Sequence, residues 1–245
     1  MSNIIKVVGI VLSAYPMGEN DKNLMVLTKE RGKMQMIARG CKRPNSPLFA
    51  ASNEYVYGEF VVAEGRSLNY LNSAEILKTF ANLKESLEDI YYGAYFCELT
   101  SYFTMEGQDE RNTLNLLYLT FLAMGKRLIP YPLIRRIFEF KILQFQGIGL
   151  QSFQCVHCGS EENLHYLSFD AGGVLCDQCK SLAGNRTIES QVLYVLQFLY
   201  SCPMQEIYSF RLTEHIMIEF EWIVNRFFKS QVDHRFKSEQ MLEIL

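Results

Sequence analysis

Four of the chain's seven cysteines fall within residues 155–180, as two C-x-x-C pairs separated by 17 residues. No other feature constrains the fold as much. Each C-x-x-C turn aims two thiolates at one point, and a hairpin of the intervening length returns the second pair to complete a tetrahedron. Gly159, directly after Cys158, suits the positive φ such a turn uses. Residues 164–169 and 174–175 are predicted as two short strands turned at Gly172 and Gly173. The pattern predicts one structural Zn2+ held by Cys155, Cys158, Cys176 and Cys179. Four thiolates close the coordination sphere and leave no position for water or substrate, which argues against a catalytic metal. A thioredoxin-like role needs a single C-x-x-C beside a βαβ unit, and two pairs around a hairpin do not fit it. With four thiols available, His157 and His165 are read as surface residues.

The cysteine count is odd, and the start, MSNIIKVVGIVLSAYP, lacks the basic n-region and small-residue cleavage site of a signal peptide. Both point to a reducing cytosol. No apolar run approaches the roughly 18 residues of a membrane span. Cys97, on an apolar stripe, and Cys202 are read as core; Cys41, in ARGCKR, is read as a buried thiol although its basic neighbours favour a reactive one.

The first 80 residues carry the period of strands. Runs at 7–12, 24–27, 34–39, 55–63 and 68–76 are rich in β-branched and aromatic residues, separated by YPMGEND, ERGK, KRPNSP and EGRS. In the third run Met34, Met36 and Ala38 alternate with Gln35, Ile37 and Arg39, so one side looks outward. Five short strands suit an oligonucleotide-binding (OB) barrel, with an SH3-like barrel as the other small closed choice. Beyond residue 80 the period is helical: Leu83, Leu87, Ile90, Ala94 and Cys97; Leu114, Leu117, Phe121, Met124 and Leu128; Phe138, Ile142 and Phe145 after Pro130 and Pro132. Further stripes run through Val192, Val195, Leu196 and Leu199, and through Leu212, Ile216, Phe220, Ile223 and Phe227. The expected class is α+β: an OB-fold domain at 1–80, helices at 81–150, a four-cysteine zinc module inserted at 151–182, and helices again at 183–245.

The formal net charge of -3 argues against a nucleic-acid partner, but the mean hides an asymmetry. Residues 1–80 hold ten Lys/Arg against seven Asp/Glu, leaving +3 there and -6 in the remainder. Within residues 29–43 six bases, Lys29, Arg31, Lys33, Arg39, Lys42 and Arg43, face one acid. A phosphate chain responds to such a local patch within a Debye length of about 8 Å. The competing reading is a solvated face, the usual fate of a charge run. Tyr55, Tyr57, Phe60 and Tyr70 are aromatics that a barrel could offer for base stacking, each competing with a place in the core. Enzyme signatures are missing: there is no P-loop, G-x-S-x-G, H-E-x-x-H or G-x-G-x-x-G, and the four histidines are scattered. The expectation is a protein without catalytic residues.

The order of these features resembles the RecO family of bacterial recombination-mediator proteins. The resemblance lies in GIVLSAYPMGENDKNLMVLTKERGKMQMIARGCKRPNS: Gly9-Ile10-Val11, the acidic turn at Glu19 and Asp21, Thr28 with Gly32-Lys33, and Ala38-Arg39-Gly40 followed by Lys42-Arg43 and Ser46. LNSAEILKTF, YYGAYFCEL, FEFKILQFQGIGL and GGVLC extend it over roughly residues 5–200, in the four-cysteine branch. The resemblance implies single- and double-stranded DNA binding, annealing of complementary strands coated by single-stranded-DNA-binding protein (SSB), work with RecR to load RecA, and a cytoplasmic, nucleoid-associated place. It puts DNA contact on Arg39, Lys42 and Arg43, and more weakly on Lys33. It also implies capture of the acidic, apolar C-terminal tail of SSB by the helices, where Arg135 and Arg136 beside Ile137 and Phe138 are candidates. The competing reading of those arginines is an exposed helical face paired with Glu139. The alternative for the whole chain is a zinc-containing protein–protein adaptor in which the barrel only scaffolds; a zinc hydrolase would require an open metal site.

Overall fold

The computed structural model describes residues 3–183 and 186–244; residues 1 and 2 of the expected first domain, and 184, 185 and 245 of the last, lie outside the described residues. Its first five strands are β1 (Asn3–Met17), β2 (Asp21–Thr28), β3 (Gly32–Ala38), β4 (Val56–Glu64) and β5 (Asn69–Thr79). They close a barrel in the order β1-β2-β3-β5-β4, with β3 and β5 parallel and the other pairs antiparallel. The 15-residue β1 makes closure possible. Its first half pairs with β4 and its second with β2, and the register shifts between Val11 and Ser13. Such an irregularity bends a strand and increases its twist, which a small barrel requires.

Alternation selects the barrel interior. Val7, Val11, Leu24, Val26, Met34, Met36, Ala38, Phe60, Val62 and Leu71 meet inside it, with Leu48 and Cys41 from the β3–β4 connection. On β3 the expected inward set is therefore found, while Gln35 and Arg39 are exposed and Ile37 is covered.

Residue 80, where the sequence period changes, is not where the compact units divide. One unit comprises residues 1–126 and 236–245, the other residues 127–235. In the first, helices α1 (Leu87–Phe103) and α2 (Arg111–Lys126) pack beside the barrel. An aromatic cluster joins them: Tyr55 meets Phe121 at 5.2 Å, Phe80 meets Phe121 at 5.3 Å, and Tyr57 meets Tyr118 at 4.9 Å between centroids. The β2–β3 turn is fastened too. Lys33 N–H donates to the Met105 carbonyl (3.1 Å), Gly107 N–H to Arg31 (2.9 Å) and Glu110 N–H to Lys29 (2.9 Å). Gly32 makes the approach possible: its φ is +62°, and a Cβ there would lie 1.9 Å from the Met105 carbonyl oxygen. A short helix α6 (Lys237–Leu242) closes the unit, with the Glu98 carboxylate accepting from Lys237 and Ser238 N–H at its start.

The expected stripe is buried at Leu83 and Cys97, but α1 covers its first turns with a different, aromatic face. Leu87 and Ile90 are exposed, whereas Tyr92, Tyr95, Phe96 and Leu99 are buried. Two apolar stripes compete on this helix, and the aromatic one removes more surface from water. Ser86 caps it by accepting from Asp89 N–H (3.0 Å). Leu128, expected on the stripe of α2, lies beyond that helix and is exposed.

The second unit holds α3 (Tyr131–Phe145), a two-stranded sheet of β6 (Leu164–Ser168) and β7 (Gly173–Cys176), α4 (Ser190–Ser201) and α5 (Glu214–Gln231). The helices bury Phe138, Ile142, Val192, Leu196, Leu199, Phe220, Ile223 and Phe227 against one another. Buried Lys141 donates its ammonium to the Leu199 carbonyl near the C-terminal end of α4 (3.0 Å), where a cation meets the negative end of the helix. No helix among the described residues is long and apolar enough to cross a membrane.

Candidate metal centre and nucleic-acid interface

The metal centre assembles from a turn, a hairpin and a 3-10 segment. Cys155 and Cys158 flank a turn closed by Gly159 N–H donating to the Cys155 carbonyl (2.9 Å), with Gly159 at φ +77°. Cys176 ends β7, directly across from Leu164 on β6, and Cys179 follows in the 3-10 turn at Asp177–Ala183. The hairpin turns through Gly172 at φ +75°. All four sulfurs lie within 4.8 Å of one another, and Cys158 and Cys176 are 3.6 Å apart. Metal–sulfur bonds of about 2.3 Å would put tetrahedral sulfurs about 3.8 Å apart, so the donor set fits a metal ion.

Protonation is in conflict across this cluster. Burial and the crowding of neighbouring sulfurs push the Cys179 thiol up to about 12. At Cys155 burial also raises the value, but backbone amides donating to the sulfur outweigh it and hold the thiol at about 6. A bound cation resolves the conflict by favouring thiolate at every position. His157 and His165 are exposed, as expected; His157 Nδ1 lies 3.4 Å from Cys179 Sγ, and His165 pairs with Asp177 at 2.9 Å. Of the remaining cysteines, Cys97 and Cys41 are buried and Cys202 is half-buried at the end of α4. Full burial of Cys41 in the barrel core removes the reactive-thiol reading.

The six bases of residues 29–43 do not form one patch. Strand β3 separates them, and from Lys33 to Arg39 it covers about 20 Å at roughly 3.3 Å per residue. Lys29, Arg31 and Lys33 sit at the β2–β3 turn, against the loop between α1 and α2. The Lys33 ammonium donates to the Ser101 carbonyl in the last turn of α1, and Lys29 pairs with Glu30. The Lys33 ammonium thus helps hold the barrel to its helix and lies at the opposite end of β3 from Arg39, apart from the other expected DNA-binding residues.

Arg39, Lys42 and Arg43 occupy the other end, in a loop held by backbone bonds. Gly40 N–H donates to the Asp21 carboxylate (2.7 Å) and Lys42 N–H to the Asn20 carbonyl (2.9 Å). Asp21 and Asn20 belong to the β1–β2 turn. The β4–β5 turn, which carries Arg66, reaches the same end, because Asn69 and Tyr70 pair with Met36 and Ile37 near the close of β3. All three cations are exposed, and among the described residues no ion pair holds any of their side chains. Arg39 lies over the Tyr70 ring, its Cζ 4.0 Å from the centroid. Glu19 and Asp21 are the acids of the adjoining turn, and the second is occupied by Gly40. Sequence reasoning missed Arg66; the turn signal EGRS named its loop, but only barrel closure brings it to this end.

The aromatics sort with equal clarity. Phe60 and Tyr55 are buried, and Tyr57 packs on Tyr118. Tyr70 alone of the four lies beside the basic loop.

Arg135 and Arg136 are not on an exposed face. Glu139, fully buried, accepts from Arg135 Nε (2.8 Å) and Arg136 Nη1 (2.6 Å), and Arg136 Nη2 reaches Glu221 (3.2 Å). The expected pairing with Glu139 is found, but Arg136 is only 5% exposed and Arg135 half-buried, so the pair forms a covered charge cluster and not an open helical face.

Comparison with known proteins agrees with this arrangement. The family model described as Recombination protein O N terminal matches residues 1–80, and Recombination protein O C terminal matches residues 84–240. The chain belongs to the RecO family. It is 32% identical to a protein of Alkaliphilus metalliredigens named DNA repair protein RecO, over 94% of each chain. Proteins of the same name from Clostridium kluyveri and Clostridium perfringens strain 13 are each 30% identical, covering 88% and 97% of this chain and 84% and 96% of theirs. Against these relatives, the RecO-family chain places its barrel in the N-terminal match and its four cysteines in the C-terminal one.

Proposed function

We propose that the protein is a non-enzymatic recombination mediator in DNA repair, working in the bacterial cytoplasm. It binds single- and double-stranded DNA, anneals complementary strands coated by SSB, and with RecR helps load RecA. The observation that carries this reading is the set of three exposed cations, Arg39, Lys42 and Arg43, without a carboxylate partner among the described residues, at the barrel end where the β1–β2 and β4–β5 turns meet. OB barrels take oligonucleotides beside those turns. Cations on a loop pinned by its backbone contact phosphates without reading sequence, which suits a mediator that acts on any strand. Annealing follows when two strands lie with their charge neutralised and their bases free to pair.

The ion in the cysteine cluster is Zn2+ in this reading, because four soft thiolates around one point select it. Its role is structural. Among the described residues the four cysteine sulfurs gather as one ligand group, which would fasten the hairpin of β6 and β7 to the turn before it.

For the SSB tail, the buried pairing of Arg135 and Arg136 favours a different seat in the same unit. A groove of about 530 Å³ between α4 and α5 is walled by Tyr194, Phe198, Phe210 and Ile216 and carries Arg211. An apolar trough with one cation has the chemistry of an acidic, apolar C-terminus.

The test is annealing of two complementary oligonucleotides, each precoated with SSB, followed by fluorescence transfer across a salt series. Acceleration that fades with salt is expected. No acceleration by zinc-loaded protein would overturn the mediator reading in favour of the adaptor.

A further inference from the structure

We infer that Arg39 and Tyr70 together form a stacking platform for one unpaired base, a contact that single strands can make and duplex cannot. The inference rests on the proposed DNA-binding role and adds to it the contact that distinguishes the two substrates.

The geometry begins with β5. Leu71 points into the barrel core, so its neighbour Tyr70 points outward by strand alternation. Parallel pairing of Ile37 with Tyr70 then sets that ring two residues short of Arg39 along β3. A hydrogen bond from the Asn69 side chain to the Gln35 carbonyl (3.0 Å) holds the start of β5 in this register. The Arg39 guanidinium, at 4.0 Å from the ring centroid, covers one aromatic face and is itself exposed. Among the described residues no carboxylate pairs with it. Elsewhere in the protein the comparable stack is a joint between elements: Arg186 lies 4.1 Å from the Trp222 ring, which meets Phe169 of the metal hairpin.

A guanidinium laid on an aromatic ring is flat, cationic and pre-ordered. Its outer face accepts a base in the same stacked arrangement, as arginine planes do in single-strand recognition. Duplex DNA keeps its bases stacked on one another, so only an unpaired base can use the platform. Lys42 and Arg43, a few residues on, offer point charges to phosphates and do not discriminate in this way. The aromatic partner keeps the arginine plane in place.

The experiment compares the full-length, zinc-loaded protein with Arg39→Lys, Tyr70→Leu and Tyr70→Phe. Each is titrated against an oligonucleotide containing 2-aminopurine and against a duplex of the same sequence. Arg39→Lys keeps the charge and loses the plane. Its single-strand affinity should fall roughly tenfold with loss of the 2-aminopurine response, while duplex affinity and salt slope stay within about twofold. Tyr70→Leu should behave alike, and Tyr70→Phe should retain wild-type binding, which separates stacking from a folding defect. Arg39→Lys binding single strands as well as wild type, or losing both substrates equally, would overturn the inference while leaving the DNA-binding role intact. Failure of the unaltered protein to bind either DNA would overturn both.

Discussion

Lys33 donates its ammonium to the backbone carbonyl of Ser101, tying the start of β3 to the last turn of α1. A residue chosen for its charge is thus occupied in joining two elements of one unit. Lys33→Met should lower unfolding stability by about 1.5–3 kcal/mol, the usual worth of a hydrogen bond with one charged partner. It should leave DNA affinity and its salt slope unchanged. Urea unfolding and a binding titration on the same preparation check both parts, and a changed slope would restore Lys33 to the DNA surface.

The single tryptophan reports on the metal site. Trp222 on α5 meets Phe169 at 5.4 Å, and Phe169 directly follows β6 in the hairpin that the cysteines hold. Stripping the ion with a chelator should shift tryptophan emission to longer wavelength as the hairpin loosens and the ring gains water. Added Zn2+ should reverse the shift. Cys179→Ser should show the shifted spectrum from the start, and unchanged emission after complete metal removal would mean that the hairpin folds without it.

Glu139 is buried between two arginines, one of which is almost fully buried itself. Among the described residues, Glu139→Ala leaves Arg136 with only the longer contact to Glu221. Removing one partner from a buried pair strands a charge, and a loss of about 3 kcal/mol is expected in denaturant unfolding. A loss below about 1 kcal/mol would indicate that the arginines reach water. SSB binding by Arg136 variants is therefore meaningful only beside a measurement of their stability.

The barrel was legible because its strands alternate and its turns carry Gly, Pro, Asn and Asp; the metal cluster was legible because ligand spacing encodes geometry directly. The α1 stripe departs from the expected one at Leu87 and Ile90, although Cys97 is buried as expected, and the reason is energetic. Leu87 and Ile90 satisfy the helical period as well as Tyr92 and Phe96 do, and only packing shows which face buries more area. The basic run misled by its one-dimensional closeness: Lys33 and Arg39 are near in sequence and at opposite ends of a strand. Arg66 shows the reverse, distant in sequence yet brought to the Arg39 end by barrel closure. Arg135 and Arg136 carry charges that sequence reads as surface, and the buried acid that neutralises them is recognisable only once α3 is packed against α5.

The most direct test of the account is single-strand affinity as a function of salt, for the unaltered protein and for a variant with Arg39, Lys42 and Arg43 all changed to Glu. Phosphate contacts by Lys42 and Arg43 predict a log–log slope of about -1.4 for the unaltered protein, and about -2 or steeper where Arg39 or Arg66 also meets a phosphate. The variant should lose measurable binding while its zinc content and melting temperature stay unchanged. A folded, zinc-loaded variant that still binds with the same slope would contradict the assignment of DNA to this end of the barrel.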